Sequence, residues 1–514
     1  MKLTKNIVGI LLGPFCFLLV LIFFNAEGLS YEAKCILAST IWMAIWWVTE
    51  CVPIPVTALL PIVLFPLTGG MDLATTTASY GHKLVYLFVG GFIIALAIEK
   101  WNLHKRLALT IIKFTGTNKS KVILGFMLAT AFLSMWISNT ATSIMILPVG
   151  LAIISQMNEK NNDEKQVFGK SLMIAIAYSA SIGGMATLIG TPPNMVFSGV
   201  VEQSYGIKIN MFDWMKFGVP ISSLLLLICW LYLTKIAFKF KNEEFNSGRE
   251  EIIKQVKKLG RFSYEEISVL VVFTLTAISW ILRGYLDDYI IPVLESITNF
   301  SLGWMSNIDD SIIAVFFAII LFIIPTKNKE KDKTVLVWKD TVKLPWGILI
   351  LFGGGMAIAS AFGKSGLSLW IADFLKNLDG IPLFLIILII VASINLLTEL
   401  TSNMATTAML LPVLVTIALA ISVHPYFLLI GATLAASCAF MLPISTPPNA
   451  VVFGSGLLKI KDMFQKGVWM NLISIIIISL VVYFILPYVF EMDKIIIPIA
   501  VSYTHLRAHE TATY

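Results

Sequence analysis

The sequence predicts an all-α polytopic membrane protein, with eleven transmembrane helices plus two re-entrant hairpins in inverted repeats, and three observations predict it. Of 514 residues, 57% are hydrophobic and only 13% charged, against roughly a quarter charged in an ordinary soluble domain. Apolar runs near 20 residues recur along the whole chain, each long enough to cross a hydrocarbon core of roughly 30 Å as a helix. Two longer apolar stretches carry the same polar interruption near their middles.

The candidate spans fall near residues 7–24, 33–51, 53–69, 86–102, 171–199, 213–238, 264–284, 311–326, 345–362, 426–456 and 468–490. The first follows Lys2 and Lys5 in the manner of a signal peptide, but its apolar stretch from Ile7 to Phe24 exceeds the usual core of about 7 to 15 residues, so it reads as a span. Stretches 122–156 and 383–420 are too long for one crossing, and a Ser-Asn cluster interrupts each. Backbone that leaves the helix at membrane depth is tolerated only where it is buried or lines a cavity, so each hairpin tip is expected at a site. The chain then divides into an N-terminal span (1–32), a first repeat (33–240) holding hairpin 122–156, a basic linker (241–262), a second repeat (263–490) holding hairpin 383–420, and a polar tail (491–514). From Val501 that tail resembles translated sequencing-adaptor read-through and is set aside.

Charge tests this topology, because a re-entrant hairpin returns to its starting side and a span does not. With the N-terminus in the cytoplasm, the expected cytoplasmic segments collect 28 of the 37 lysines and arginines. They lie at Lys2 and Lys5, Lys100 to Lys121, Lys160 to Lys170, Lys235 to Arg261, Lys327 to Lys343, and Lys459 to Lys466. The outer loop between the seventh and eighth spans collects acids instead, namely Asp287, Asp288, Glu295, Asp309 and Asp310. This is the positive-inside pattern of a multi-pass protein of the cell inner (plasma) membrane, and it puts the C-terminus outside. The formal charge of +6 is therefore a topology signal and calls for no nucleic-acid partner. The linker from Lys235 to Arg261 also suits an amphipathic helix lying on the membrane surface.

Other chemistries lack their residues. Cys16, Cys35, Cys51, Cys229 and Cys438 are scattered, without a Cys-x-x-Cys. His82 and His104 fall in expected loops and His424 just before a span, all read as solvated and none spaced for a metal. No nucleophile and base pair within the apolar runs, so the chain is not read as an enzyme. No Gly-x-x-x-x-Gly-Lys-Ser/Thr motif supports ATP-driven pumping. Glu50 and Glu99 sit near helix ends, where snorkelling or structural pairing explains an acid, whereas Glu399 beside the second hairpin tip has no assigned role.

The informative feature is a repeat. Ser138-Asn139-Thr140-Ala141-Thr142 leads into Met145-Ile146-Leu147-Pro148, and Ser402-Asn403-Met404-Ala405-Thr406 into Met409-Leu410-Leu411-Pro412, with seven of eleven aligned positions identical. Gly190-Thr191-Pro192-Pro193-Asn194 follows the first copy and Ser445-Thr446-Pro447-Pro448-Asn449 the second. In the topology above the copies enter from opposite sides. Inverted repeats with broken helices at matching positions point to a midplane site in a secondary transporter.

The residue types suit two ligands of opposite sign. Proline ends a helix and frees carbonyls, which suit a cation. Gly190 lets backbone approach, and the hydroxyls of Ser134, Ser138, Thr398 and Thr401 with the side-chain oxygens of Asn139 and Asn403 complete oxygen-only cages suited to Na⁺. Helix N-termini at the tips suit a carboxylate. Neither motif pair contains lysine or arginine, so bound sodium is left to balance a dianion, a route to obligatory coupling.

At these residues the chain resembles the divalent anion/sodium symporter family, which carries dicarboxylates, citrate or sulfate, over about residues 5 to 490. The resemblance implies a homodimer in which a mobile transport part moves like an elevator against a scaffold. It implies one sodium site at Ser134, Ser138, Asn139 and Gly190 and a second at Thr398, Thr401, Asn403 and Ser445. The substrate would meet Ser138, Asn139, Thr140, Thr191, Ser402, Asn403 and Thr446, with Pro192, Pro447 and Met404 on the same walls. Met404 stands where the bacterial pattern has threonine, which removes a hydroxyl and adds an apolar wall. The expected function is sodium-driven import of C4–C5 dicarboxylates such as succinate, malate, fumarate or 2-oxoglutarate. Alternatives are a sodium-independent dicarboxylate exchanger, a citrate or sulfate carrier, and an anion channel, which would need a continuous polar pore and no inverted broken helices.

Overall fold

An apolar solvent offers no partners to exposed amides, so a chain of this composition must close its backbone hydrogen bonds within helices. The computed structural model describes residues 2–116, 118–157, 162–239, 246–298, 300–327, 332–375 and 380–492, and these are helical with no extended strand among them. Among the described residues, seven helices are long and apolar enough to cross a membrane: Leu73–Lys100, Asp163–Gly184, Met211–Ala237, Tyr264–Arg283, Trp346–Lys364, Asn403–Ala420 and Ile460–Phe484. Shorter apolar helices accompany them, including Ile7–Phe23, Ile54–Thr68 and Asp310–Ile323. The tail from residue 493, with the suspected read-through, lies outside the described residues.

At the two Ser-Asn clusters one helix ends and another begins. Lys119–Ser134 turns into Asn139–Ser155, and Leu383–Thr398 into Asn403–Ala420. Each leading arm has 16 residues, a rise of about 24 Å, short of a full hydrocarbon core of roughly 30 Å. Two stretches expected as single spans are each two helices. Residues 171–199 fall on Asn162–Gly184 and Pro192–Tyr205, and 426–456 on Tyr426–Ser437 and Pro447–Phe453. In both, Pro-Pro occupies the first two positions of the restarted helix, where a missing N–H costs nothing.

The halves interlock crosswise. The second arm of the first hairpin, Asn139–Ser155, packs against Pro447–Phe453 from the second half, and Asn403–Ala420 packs against Pro192–Tyr205 from the first. Trp346–Lys364 lies between this assembly and the N-terminal helices. Its Gly353-Gly354-Gly355 run makes that possible: a Cβ on Gly354 would stand 2.6 Å from Ala58 O, and one on Gly355 would stand 3.0 Å from Ala408 Cβ.

Three shorter helices were not expected: Leu103–Phe114, Ile291–Thr298 and Leu367–Leu375. The first lies inside the lysine-rich segment read as a loop. It packs against Asn246–Lys258, which falls within the stretch assigned to a surface helix. Arg106 fastens the two regions, with Nε and Nη2 donating to the Glu266 carboxylate at 3.1 and 3.0 Å and further donations to the carbonyls of Leu259 and Gly260. The solvated-histidine reading fails with the loop reading. His104 is 3% exposed within Leu103–Phe114, its Nδ1 3.1 Å from Ile98 O, while His82 and His424 are half-buried at helix starts.

Candidate functional site

A cavity of about 760 Å³ forms where both hairpin tips meet both helix breaks. Every residue expected to face substrate lines it: Ser138, Asn139, Thr140, Thr191, Pro192, Ser402, Asn403, Met404, Thr446 and Pro447. Of the expected sodium ligands, Gly190, Thr401 and Ser445 also line it, whereas Ser134 and Thr398 are fully buried behind the tips. Phe92, Leu351, Ile348 and Pro55 supply an apolar opposite wall, and Glu50 is the one charged side chain on the lining among the described residues.

Four helices of 14 residues or more begin among the lining residues, Asn139–Ser155, Pro192–Tyr205, Trp346–Lys364 and Asn403–Ala420, with N-caps Ser138, Thr191, Pro345 and Ser402. Ser138 Oγ accepts the Ala141 amide at 3.3 Å. The unpaired amides of these first turns carry about half a positive charge per helix, suited to an anion. Among the described residues, no lysine or arginine lies on the lining to compete with them.

Behind each tip stands a cluster of oxygens. Asn139 Oδ1 lies 2.7 Å from Ser134 Oγ and 3.2 Å from the carbonyl oxygens of both Gly190 and Ala180. Either a cation among these acceptors or a turned amide, its Nδ2 donating to all three, relieves the repulsion. Ser134 Oγ also donates to Ala180 O at 2.6 Å. The second half repeats the pattern, with Thr398 Oγ1 2.7 Å from Asn403 Oδ1 and 3.0 Å from Ala436 O. Hard oxygens without sulfur or imidazole fit Na⁺, and no cluster of histidine, cysteine or acid residues that could hold another metal exists among the described residues. Thr401 Oγ1 lies 2.9 Å from Leu397 O and 2.6 Å from Thr406 Oγ1, and Ser445 Oγ donates to Leu442 O at 2.7 Å, so both hydroxyls already have protein partners.

Two asparagines from the Pro-Pro-Asn steps, not counted above among the ligands, hold the breaks open. Asn194 Nδ2 donates to Gly184 O, Met185 O and Thr187 O at 3.3, 3.2 and 2.7 Å. Asn449 Nδ2 donates to Ala439 O, Leu442 O and Ser445 Oγ at 3.1, 3.0 and 3.1 Å. The equivalence of the two motifs was the available signal, since an amide at the same place after both breaks has the same freed carbonyls to satisfy. Thr187 ties the first break to the first tip, its Oγ1 donating to Met135 O and accepting from Gly190 N at 3.0 Å.

Comparison with known proteins agrees with this architecture. The family described as "Sodium:sulfate symporter transmembrane region" matches residues 4–489. A "Sodium-dependent dicarboxylate transporter SdcS" of Staphylococcus saprophyticus is 44% identical over 493 residues, covering 95% of this chain and 93% of that protein. The protein of the same name from Staphylococcus aureus strain MRSA252 is 45% identical over 495 residues, with 95% and 93% covered. The solved YdaH transporter of Alcanivorax borkumensis aligns at a TM-score of 0.56 with 11% identity, over 89% of this chain and 99% of its own. MtrF of Neisseria gonorrhoeae aligns at 0.57 with 12% identity, over 91% and 97%. These two share the fold. Because the family match runs through both tips and both breaks, the chain belongs to the sodium:sulfate symporter family, a multi-pass membrane transporter with sodium as its coupling ion and not an enzyme.

Proposed function

We propose that this protein imports small dicarboxylates, of the succinate, malate, fumarate or 2-oxoglutarate class, by sodium symport. One observation carries the reading: clusters of oxygens around the Asn139 and Asn403 amides flank a cavity whose lining, among the described residues, offers an anion helix N-termini but no cationic side chain. A dianion in such a site requires compensating charge, and sodium beside each tip supplies it. Binding of the cation raises affinity for the anion and the reverse, because the coupling free energy is reciprocal. The names of the two staphylococcal relatives support a dicarboxylate over sulfate.

Sodium at the first site meets Ser134, Ser138, Asn139 and Gly190, and at the second Thr398, Thr401, Asn403 and Ser445. The dianion lies between Ser138-Asn139-Thr140 and Ser402-Asn403, against Thr191 and Thr446. The two halves act as inverted repeats, and the hairpins with their broken helices move as one elevator body against the remaining helices, in a homodimer. With the lysine-rich loops in the cytoplasm and the C-terminus outside, the lining residues Glu50, Pro345 and Gly347 lie toward the cytoplasmic side.

Radiolabelled succinate uptake into proteoliposomes under an inward Na⁺ gradient is the test. Uptake is expected with Na⁺, to vanish when K⁺ or choline replaces it, and to be competed by other dicarboxylates. Uptake indifferent to Na⁺ but dependent on lumenal dicarboxylate would replace this reading with exchange. Met404, 5% exposed, presents a thioether where Thr140 presents a hydroxyl on the other tip. Met404→Thr restores one donor and is expected to lower the KM for succinate by roughly fivefold, the scale of one hydrogen bond, with longer dianions losing ground in competition.

A further inference from the structure

Glu399 is the C-cap of Leu383–Thr398, placed between two residues of the proposed second sodium site, Thr398 and Thr401. It does not line the cavity and is 1% exposed. A carboxylate in such a place requires strong partners, and it has four. Oε1 accepts from Phe440 N at 2.7 Å, Met441 N at 2.9 Å and Asn471 Nδ2 at 2.8 Å, and Oε2 accepts from Leu442 N at 3.1 Å. The three amides are consecutive and belong to the break between Ser437 and Pro447. Buried there without acceptors, they would each carry the cost of an unmade hydrogen bond.

The first half solves the same problem differently. Aligning Ser138 with Ser402 places Met135 opposite Glu399. The first break instead closes on its own chain, Met185 N donating to Ile182 O at 3.3 Å, Ala186 N to Gly183 O at 3.0 Å and Gly190 N to Thr187 Oγ1 at 3.0 Å. Only the second break is hung by consecutive amides from an acid of its hairpin. That break leads into Ser445 and Thr446 on the cavity wall, while the acid's chain neighbours Thr398 and Asn403 form the oxygen cluster with Ala436 O.

We infer that Glu399 is a positioning residue for ion–anion coupling, its carboxylate tying the oxygen cluster at Thr398 and Asn403 to the wall at Ser445 and Thr446. Sodium bound at the cluster fixes the tip, the carboxylate carries that constraint to residues 440–442, and the wall meeting the dianion is set. The assignment rests on the symport reading above. A glutamine in this place offers one acceptor oxygen and turns an NH₂ toward donors, so the amide isostere cannot hold all three N–H groups.

The readout is the ratio of the succinate KM at low Na⁺ to that at saturating Na⁺, measured in proteoliposomes for the wild type, Glu399→Gln, Glu399→Asp and Asn471→Ala. Glu399→Gln is expected to shrink this ratio roughly tenfold, the scale of one lost charge-assisted hydrogen bond, and Glu399→Asp, which keeps the charge, to recover part of it. A purely structural role would lower the amount of folded carrier and the maximal rate but leave the ratio intact. An unchanged ratio in Glu399→Gln overturns the assignment. Should that variant fail to fold, Asn471→Ala decides, since it spares the carboxylate and the three amide bonds to it, removing the Nδ2 donor to Glu399 and the Oδ1 that Phe440 N shares at 3.1 Å. Its ratio must fall about threefold, and an unchanged one overturns the assignment equally. A wild type whose succinate uptake ignores Na⁺ overturns the symport reading, and this assignment with it.

Discussion

Asn139→Ala and Asn403→Ala are each expected to reduce sodium-driven uptake by more than about a hundredfold, close to 3 kcal/mol, with expression and elution profile unchanged. Each deletes the side-chain amide at the centre of its cluster. The Asn139 amide is the group that Ser134 Oγ, Gly190 O and Ala180 O surround, and the Asn403 amide is the one facing Thr398 Oγ1. The loss exceeds that of a surface contact because the remaining oxygens stay buried and must still be satisfied. Transport alone does not separate cation loss from anion loss, so thermal unfolding in NaCl and in choline chloride accompanies it. A ligand that binds only the folded state stabilises by an amount set by its concentration over its dissociation constant, so the sodium-dependent stabilisation of the wild type should shrink in both variants. Normal uptake in both would sink the proposed site.

Gly190→Ala is expected to be as severe, for a geometric reason. A Cβ there would stand 2.5 Å from Gly184 O and 3.0 Å from Ser134 O, both backbone atoms that cannot rotate aside. Relieving the clash pushes the break away from the first tip and separates Gly190 O from Asn139, 3.2 Å apart. The expected result is a loss of uptake of about a hundredfold or more together with a rise in the Na⁺ concentration for half-maximal rate. Gly363→Ala is the control, since no described atom beyond its chain neighbours and its own helix backbone lies within 4 Å of the Cβ it would add. Equal uptake by the two variants would show that close packing at Gly190 is not needed.

Much of this was legible because bilayer chemistry acts locally. Seven long apolar helices emerge from runs countable in the sequence, and the paired Ser-Asn and Pro-Pro-Asn motifs marked the residues that converge on one cavity. Helix Leu103–Phe114 was missed because Lys105, Arg106 and Lys113 read as loop residues, and only packing against a neighbour buries Arg106 while the two lysines stay exposed. His104 was misread for the same reason, its burial being supplied by packing and not by its own surroundings in sequence. The continuous spans assigned to 171–199 and 426–456 were too simple, since hydrophobicity alone does not register unwound backbone.

By itself, then, the sequence determined a helical membrane protein with duplicated oxygen-rich tips and proline breaks, because apolar length, proline chemistry and repeated side chains are properties of short segments. Only the tertiary structure decided that each tip helix packs on the broken helix of the opposite half, that Ser134 and Thr398 stand behind the cavity and not on it, and that Glu399 serves backbone amides of the second break. Those outcomes pair atoms from distant parts of the chain, and no local periodicity carries the information about which buried donor meets which buried acceptor.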